Sequence, residues 1–191
     1  MRYDLNALPE IYQSLAQRVD GVLVEGDPPP SNPPVERPEY HDRVCFRLGA
    51  VGFAFFSSFT GRQEVGPGIA DVVYTRLVVT GSYRQVPDFH IVPETVWARL
   101  TKWFGAQDID AGDSDYDAAF IMKCSDPRWL RQLLTPGFRR AHLQCPKTIV
   151  RLLNGRLEAM HDHLGKRSVD AVVQRAEALA ALHHELGPPD G

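Results

Sequence analysis

The sequence predicts an α+β fold, in which an antiparallel sheet packs against two or three helices and is joined to an N-terminal amphipathic helix by a proline-rich arm. Three observations lead to this prediction. Segments rich in β-branched and aromatic residues are concentrated between residues 43 and 92. Apolar residues at helical spacing occupy both ends of the chain, and an Asn-Gly pair near residue 154 joins two further strand-like segments. With 191 residues, 43% of them hydrophobic, the chain can build one main core.

The first element is an amphipathic helix over residues 5–20. Its stripe needs a surface to dock on, and most such stripes face the core of their own chain. The alternative is a protein partner bound through the stripe residues Leu8, Ile11, Tyr12 and Leu15. Prolines between residues 28 and 38 then favour an extended arm. We therefore expect residues 1–40 to form a helix and arm, and residues 41–191 to form the α+β domain.

Strands follow from residue 43, because alternating and β-branched segments are separated by glycine-containing turns. The predicted strands cover residues 44–48, 51–56, 71–80 and 88–92, with a glycine-rich turn around Gly61 and residues 66–68. A short helix is expected over residues 95–103.

Residues 115–136 predict a strand followed by a capped helix. In an extended segment over residues 115–124, Tyr116, Phe120 and Met122 would share one side. Asp126 then supplies a capping oxygen, and Pro127 occupies the first helical position, where a missing N–H is tolerated.

The remaining elements have strong local signals. Residues 136–143 predict one or two further helical turns. Asn154 and Gly155 are the preferred pair for a two-residue hairpin between strands at 149–153 and 156–161. Ser168 caps a C-terminal amphipathic helix that ends near Gly187.

Composition narrows the classes of partner. The formal charge of -3 provides no electrostatic basis for binding nucleic acid or an anionic membrane surface. No apolar run is long enough to span a bilayer, and the N-terminus has no secretory signal pattern, so we expect a cytoplasmic protein. Cys45, Cys124 and Cys145 are isolated and odd in number, which favours buried thiols over disulfides or a metal motif.

Two clusters could bind a metal. His161 and His163 would lie on the same side of an extended segment, and the acidic run at residues 108–117 includes Asp113 and Asp115. The acidic run does not have the spacing of an EF-hand loop, so a solvated turn with side-chain-to-backbone hydrogen bonds is favoured. Phosphate-binding glycine loops and nucleophile motifs are not found, and no cofactor is expected.

Residues 71–186 loosely resemble a poorly characterised bacterial domain of unknown function. The resemblance covers a threonine-arginine strand at residues 74–77, an acidic turn before an aromatic strand at 113–122, and an Asp-Pro helix ending in Leu-Leu-Thr-Pro. It also includes the hairpin and the final helix. These are packing and turn signals, so the resemblance implies a fold and assigns no catalytic or binding residue.

The sequence thus favours a non-catalytic, cytoplasmic protein-interaction or assembly module that binds a protein partner or a second copy of itself. One alternative is a metal-dependent hydrolase or metal-binding protein using His161, His163 and the aspartates of residues 108–117. Another is a small-molecule sensor, which requires a pocket that sequence cannot reveal.

Overall fold

The computed structural model describes the backbone of residues 8–25, 42–65, 68–95, 109–162 and 168–188. These residues form an α+β fold with one eight-stranded antiparallel sheet and five helices, as the sequence predicts. The helices are α1 (Leu8–Arg18), α2 (Ser114–Ala119), α3 (Pro127–Leu133), α4 (Pro136–Leu143) and α5 (Val169–Leu186). The strands are β1 (Val22–Val24), β2 (Arg43–Leu48), β3 (Val51–Val65), β4 (Gly68–Val79), β5 (Phe89–Pro93), β6 (Phe120–Cys124), β7 (Thr148–Leu153) and β8 (Arg156–Asp162).

The order of strands in the sheet is β1-β2-β3-β4-β8-β7-β5-β6. The first four strands are neighbours in both sequence and space. The C-terminal hairpin β7–β8 is then inserted between β4 and β5, so that β5 and β6 form the far edge. This insertion joins the two halves of the chain into one sheet.

The helices lie on one face of this sheet, and the core is between them. Alternate residues of the central strands, such as Phe53, Leu77 and Leu157, are fully buried on the helix-covered face. Leu15 of α1 and Leu179 of α5 pack into the same cluster. We call this side the helix face and the opposite side the second face.

Local signals explain most of the helix boundaries. The carboxylate of Asp126 accepts hydrogen bonds from the backbone N–H groups of Arg128 and Trp129 at the start of α3. The Thr135 hydroxyl accepts from Phe138 N–H at the start of α4, and the Ser168 hydroxyl accepts from Ala171 N–H at the start of α5.

The predicted hairpin is also present. Asn154 and Gly155 both have positive φ, at 51° and 76°, as a type I′ turn requires. A Cβ atom on Gly155 would lie only 2.7 Å from the Ser82 hydroxyl, so this glycine also permits close packing of the turn against the loop before β5. The prediction of this hairpin is therefore confirmed.

The predicted strand at residues 115–124 is partly wrong. Residues 114–119 form helix α2, and only Phe120–Cys124 is extended. The Asp113 carboxylate accepts a hydrogen bond from Tyr116 N–H and caps this helix. Tyr116 is fully buried within this helix, so its apolar position alone did not distinguish the helix from a strand that alternates with Phe120 and Met122.

The aspartate-rich turn before α2 has the side-chain-to-backbone hydrogen bonds that the sequence predicts. Asp110 accepts from Gly112 N–H at 2.6 Å, and Asp117 accepts from the N–H groups of Ala111 and Asp113 at 2.8 and 3.1 Å. The hydrogen bond from Gly112 lowers the pKa of Asp110 below its ordinary value. This turn is a local backbone structure of the type that aspartates commonly form.

Two predicted elements lie outside the described residues. These are the proline-rich arm, with the proposed domain boundary at residue 40, and most of the helix expected over residues 95–103. Among the described helices, none has the length and apolar character needed to cross a bilayer.

Candidate functional site

The candidate interaction site is a two-stranded ribbon at one end of the sheet. β2 pairs with β3 only as far as Phe56, and β8 pairs with β4 only from Tyr74 onward. Beyond these points, residues 59–65 of β3 and 68–73 of β4 continue to pair with each other. We call these two segments the ribbon. At about 3.3 Å per residue, it extends roughly 25 Å beyond the sheet.

Both edges of the ribbon are unpaired within the part of the chain that the structure describes. Each edge presents backbone N–H and C=O groups that a further strand could bind. A two-stranded ribbon is marginally stable by itself in water, because each strand has a partner on one side only. This geometry suits the addition of a strand from another molecule.

A bulge lies within the ribbon. Phe59 pairs with Val73, but Gly61 pairs with Val72, so one residue of β3 is unmatched at this point. Bulges increase local twist and are common near sheet edges. The sequence prediction placed a turn around Gly61; the structure instead continues β3 through this glycine to Val65, which corrects that boundary.

The base of the ribbon is anchored by the first helix. The Tyr12 hydroxyl accepts a hydrogen bond from Ser57 N–H at 3.0 Å, and the Tyr12 ring packs edge-on against Phe55 at a centroid distance of 5.8 Å. These contacts hold the base of the ribbon against the core.

The helix α1 itself faces the interior. Ile11, Tyr12 and Leu15 are 8%, 7% and 0% exposed and pack in the core of their own chain. The side chain of Leu8 lies outside the described residues. In this structure these three side chains thus dock on their own chain, and binding of a partner through the stripe stays a prediction.

A second unpaired edge is provided by β1. Val22 and Leu23 are 64% and 49% exposed, and among the described residues β1 pairs with β2 alone. An open groove of about 540 Å³ lies beside this edge and is lined in part by Val22, Cys45 and Thr80. With three residues, β1 offers a much shorter pairing edge than the ribbon.

The residues predicted to bind metal do not come together in the described part of the chain. His161 is in β8, whereas Asp113 and Asp115 are at the start of α2, immediately before β6. β7 and β5 lie between these two strands, which separates them by about 14 Å. Asp113 instead caps α2 and forms an ion pair with Arg139 at 3.2 Å.

Within the described ranges, no group of three His, Cys, Asp or Glu side chains could hold a metal ion. His163 and Asp108 are outside those ranges. The metal-binding alternative therefore stays a prediction, without support from the residues that can be described.

The second face of the sheet contains a charged cluster that sequence reasoning missed. Glu158 accepts a hydrogen bond from Arg76 Nη1 at 3.1 Å and another from Arg151 Nε. Arg76 and Glu158 are 1% and 2% exposed. His90 is the next residue across the sheet from Arg151, and burial is the main reason that its pKa lies below the ordinary value. The ion pairs fix the register between β4, β8 and β7.

A buried histidine links α2, α4 and the sheet. Tyr116 donates its hydroxyl proton to His142 Nδ1 at 2.8 Å, and His142 Nε2 donates to the Thr148 carbonyl at 3.0 Å. The imidazole is fully buried and stacks on Phe120 with a centroid distance of 4.1 Å. Both ring nitrogens thus have partners, which assigns this histidine a structural role.

No protein-family model, curated protein or solved structure was found to match this chain.

Proposed function

We propose that the protein is a non-catalytic, cytoplasmic assembly module that pairs with a second copy of itself through the ribbon. The observation that supports this proposal is the extension of β3 and β4 beyond every neighbouring strand described, with both edges available. A cytoplasmic address is consistent with the three cysteines, which are all free thiols.

A second copy is the simplest partner for such an edge. Two identical strands related by a two-fold axis can pair in antiparallel orientation, since each edge then supplies the same donors and acceptors to the other. Six or seven residues could pair on each edge of the ribbon, compared with three in β1. Pairing would also extend a marginal two-stranded structure to four strands.

The experiment removes the ribbon and leaves the eight-stranded sheet. Residues 59–73 are replaced by Asn-Gly, which joins Ser58 to Tyr74, two residues that face each other in the register. The chain already uses this connection, because Leu153 and Arg156 face each other across Asn154-Gly155. The matched control is Leu23→Lys, which disrupts the exposed β1 edge instead.

Native mass spectrometry and light scattering are then performed on untagged protein over a range of concentrations. We expect a dimer for the full chain and for Leu23→Lys, and a monomer with a cooperative thermal transition for the shortened variant. A full chain that stays monomeric at every concentration would contradict the proposal. Loss of the dimer in Leu23→Lys alone would assign the interface to β1 instead.

A further inference from the structure

Four polar side chains form a line across the helix face, at the end of the sheet where the ribbon begins. Ser57 faces Thr75, Thr75 faces His161, and His161 faces Thr148 in the strand register. Directly opposed residues in antiparallel strands point to the same side, and this side is the one that carries Leu77 and Ala159 into the core. We call Ser57, Thr75, His161 and Thr148 the end row.

Arg175 of α5 lies over this end row. Its Nη1 donates to the Thr75 hydroxyl at 3.2 Å, and its Nε donates to the Ala171 carbonyl at 2.8 Å. The residue is only 5% exposed. Two hydrogen bonds therefore fix the guanidinium group, one to its own helix and one to the sheet.

No carboxylate neutralises Arg175 within the part of the chain that can be described. The other arginines that approach the interior differ in this respect: Arg76 pairs with Glu158 at 3.1 Å, and Arg139 pairs with Asp113 at 3.2 Å. A guanidinium has five N–H donors, and two hydrogen bonds to neutral oxygens leave some of them unused. Burial lowers the pKa of Arg175 to about 10, which still leaves it charged at neutral pH.

Two buried hydroxyl groups of the end row also lack hydrogen-bond partners among the described residues. Thr148 is 1% exposed, and its Oγ1 has no hydrogen-bond partner among the described residues; Ser57 Oγ is likewise buried without a described partner. Ser57 is one strand spacing, about 5 Å, from Thr75, and Thr148 is two spacings, about 10 Å, away. Buried polar groups normally have partners, and leaving one without a partner costs free energy.

A small oxyanion beside Arg175 and Thr75 would supply the missing charge and could also accept a hydrogen bond from Ser57, about 5 Å away. Thr148 lies about 10 Å from Thr75 on the other side and is beyond the reach of the same group. The oxygen atoms of an oxyanion accept hydrogen bonds from a guanidinium and from hydroxyl groups, and charge-assisted bonds of this type are among the stronger polar interactions in proteins. We propose that Arg175, together with Thr75 and Ser57 of the end row, binds the carboxylate or phosphate group of a small anionic molecule. This goes beyond assembly through the ribbon and identifies a ligand site between α5 and the sheet.

Arg175 is poorly explained as a residue kept for stability alone. A buried charge without an opposite charge destabilises the fold, and replacing buried ionic groups by apolar ones of similar size is often neutral or stabilising. A bound anion would supply the missing charge only when the ligand is present.

The test is isothermal titration of the full chain with inorganic phosphate and, separately, with succinate. We expect saturable binding of one of them, and the one that binds identifies the ligand class. Arg175→Gln should weaken that binding by about tenfold or more, since a charge-assisted hydrogen bond is lost. Thr75→Val, which retains the side-chain shape, should weaken it severalfold. Arg131→Gln is the matched control, because Arg131 is exposed and, within the described ranges, donates a hydrogen bond to the Asp110 carbonyl alone.

Absence of saturable binding with both probes would overturn the proposal, as would equal affinity in Arg175→Gln and the unaltered chain. If Arg175→Gln does not fold, Thr75→Val decides the result. A second measurement needs no ligand: Arg175→Met should melt at the same temperature as the unaltered chain or higher. A marked fall would show that Arg175 stabilises the fold by itself. The ribbon-shortened variant retains the whole end row and should still bind, which separates this proposal from the dimer.

Discussion

The buried histidine His142 makes the stability of this protein sensitive to acid. Burial lowers its pKa from the ordinary value of 6.5 to about 4, although the hydrogen bond to the Thr148 carbonyl opposes this effect. Above pH 6.5 the imidazole is neutral in both the folded and unfolded chain. Between pH 6.5 and 4 the unfolded chain binds a proton that the folded chain excludes, so the free energy of unfolding falls as the pH falls.

The expected size of this loss follows from the two pKa values. A difference between 6.5 and about 4 corresponds to about 3 kcal/mol at roughly 1.4 kcal/mol per pH unit, and the loss is complete near pH 4. For a chain of this kind, about 3 kcal/mol is a large part of a total stability of roughly 5–15 kcal/mol. His90 and His183 also have lowered pKa values caused mainly by burial, but both are partly accessible and should contribute less.

The assay is urea denaturation followed by tryptophan fluorescence at half-unit intervals between pH 7.5 and 4, on the unaltered chain and on His142→Gln. Glutamine can still donate to the Thr148 carbonyl but does not titrate. The variant should be less stable at neutral pH, because it loses the stacking on Phe120, yet its stability should change less with pH. The unaltered chain should lose about 3 kcal/mol more than the variant between pH 6.5 and 4.

Parallel stability curves for the two proteins would refute this reasoning, because they would show that His142 does not titrate differently in the folded and unfolded chains. Tyr116→Phe provides a further check. It removes the proton donor to Nδ1 while retaining the aromatic ring, so the neutral imidazole is less favoured and the pH dependence should be weaker than in the unaltered chain.

Two further changes test the packing of the sheet. Glu158→Gln should lower the free energy of unfolding by about 3 kcal/mol, because it removes the buried negative charge that pairs with Arg76 and Arg151; a change below about 1 kcal/mol in urea denaturation would contradict a structural ion pair. Gly155→Ala should lower the free energy of unfolding by about 2 kcal/mol. The reason is that φ is positive at this position, at 76°, and that the added Cβ would lie 2.7 Å from the Ser82 hydroxyl. Its control is Gly112→Ala, where φ is 75° but no atom of the described residues lies within 4 Å of the added Cβ, so a loss of about 1 kcal/mol is expected. Equal losses in the two variants would exclude the close contact with Ser82 as a cause.

The sequence by itself determined the elements whose signals are local. Asp126 and Ser168 lie within three residues of the N–H groups that they cap, and the Asn-Gly turn is defined by two adjacent φ angles. These interactions form within a few residues of the chain, so their residue types are sufficient to predict them. The same is true of the apolar stripe of α5, whose spacing already indicated which side would be buried.

The tertiary structure decided features that depend on distant residues. Tyr116 lies in a helix that Asp113 caps locally, and its buried hydroxyl bonds to His142, 26 residues further along. The alternation of apolar residues could not distinguish this arrangement from a strand. The insertion of the β7–β8 hairpin beside β4 likewise follows from pairing between separated segments.

The two proposed sites also depend on residues that are distant in sequence. The ribbon exists because the neighbours of β3 and β4 end earlier than these strands do, which is a property of register between strands. Arg175 meets Thr75 across 100 residues of sequence. Residue spacing along the chain cannot predict such contacts. The burial, charge and hydrogen bonding of Arg175 are established only when the core closes around this side chain.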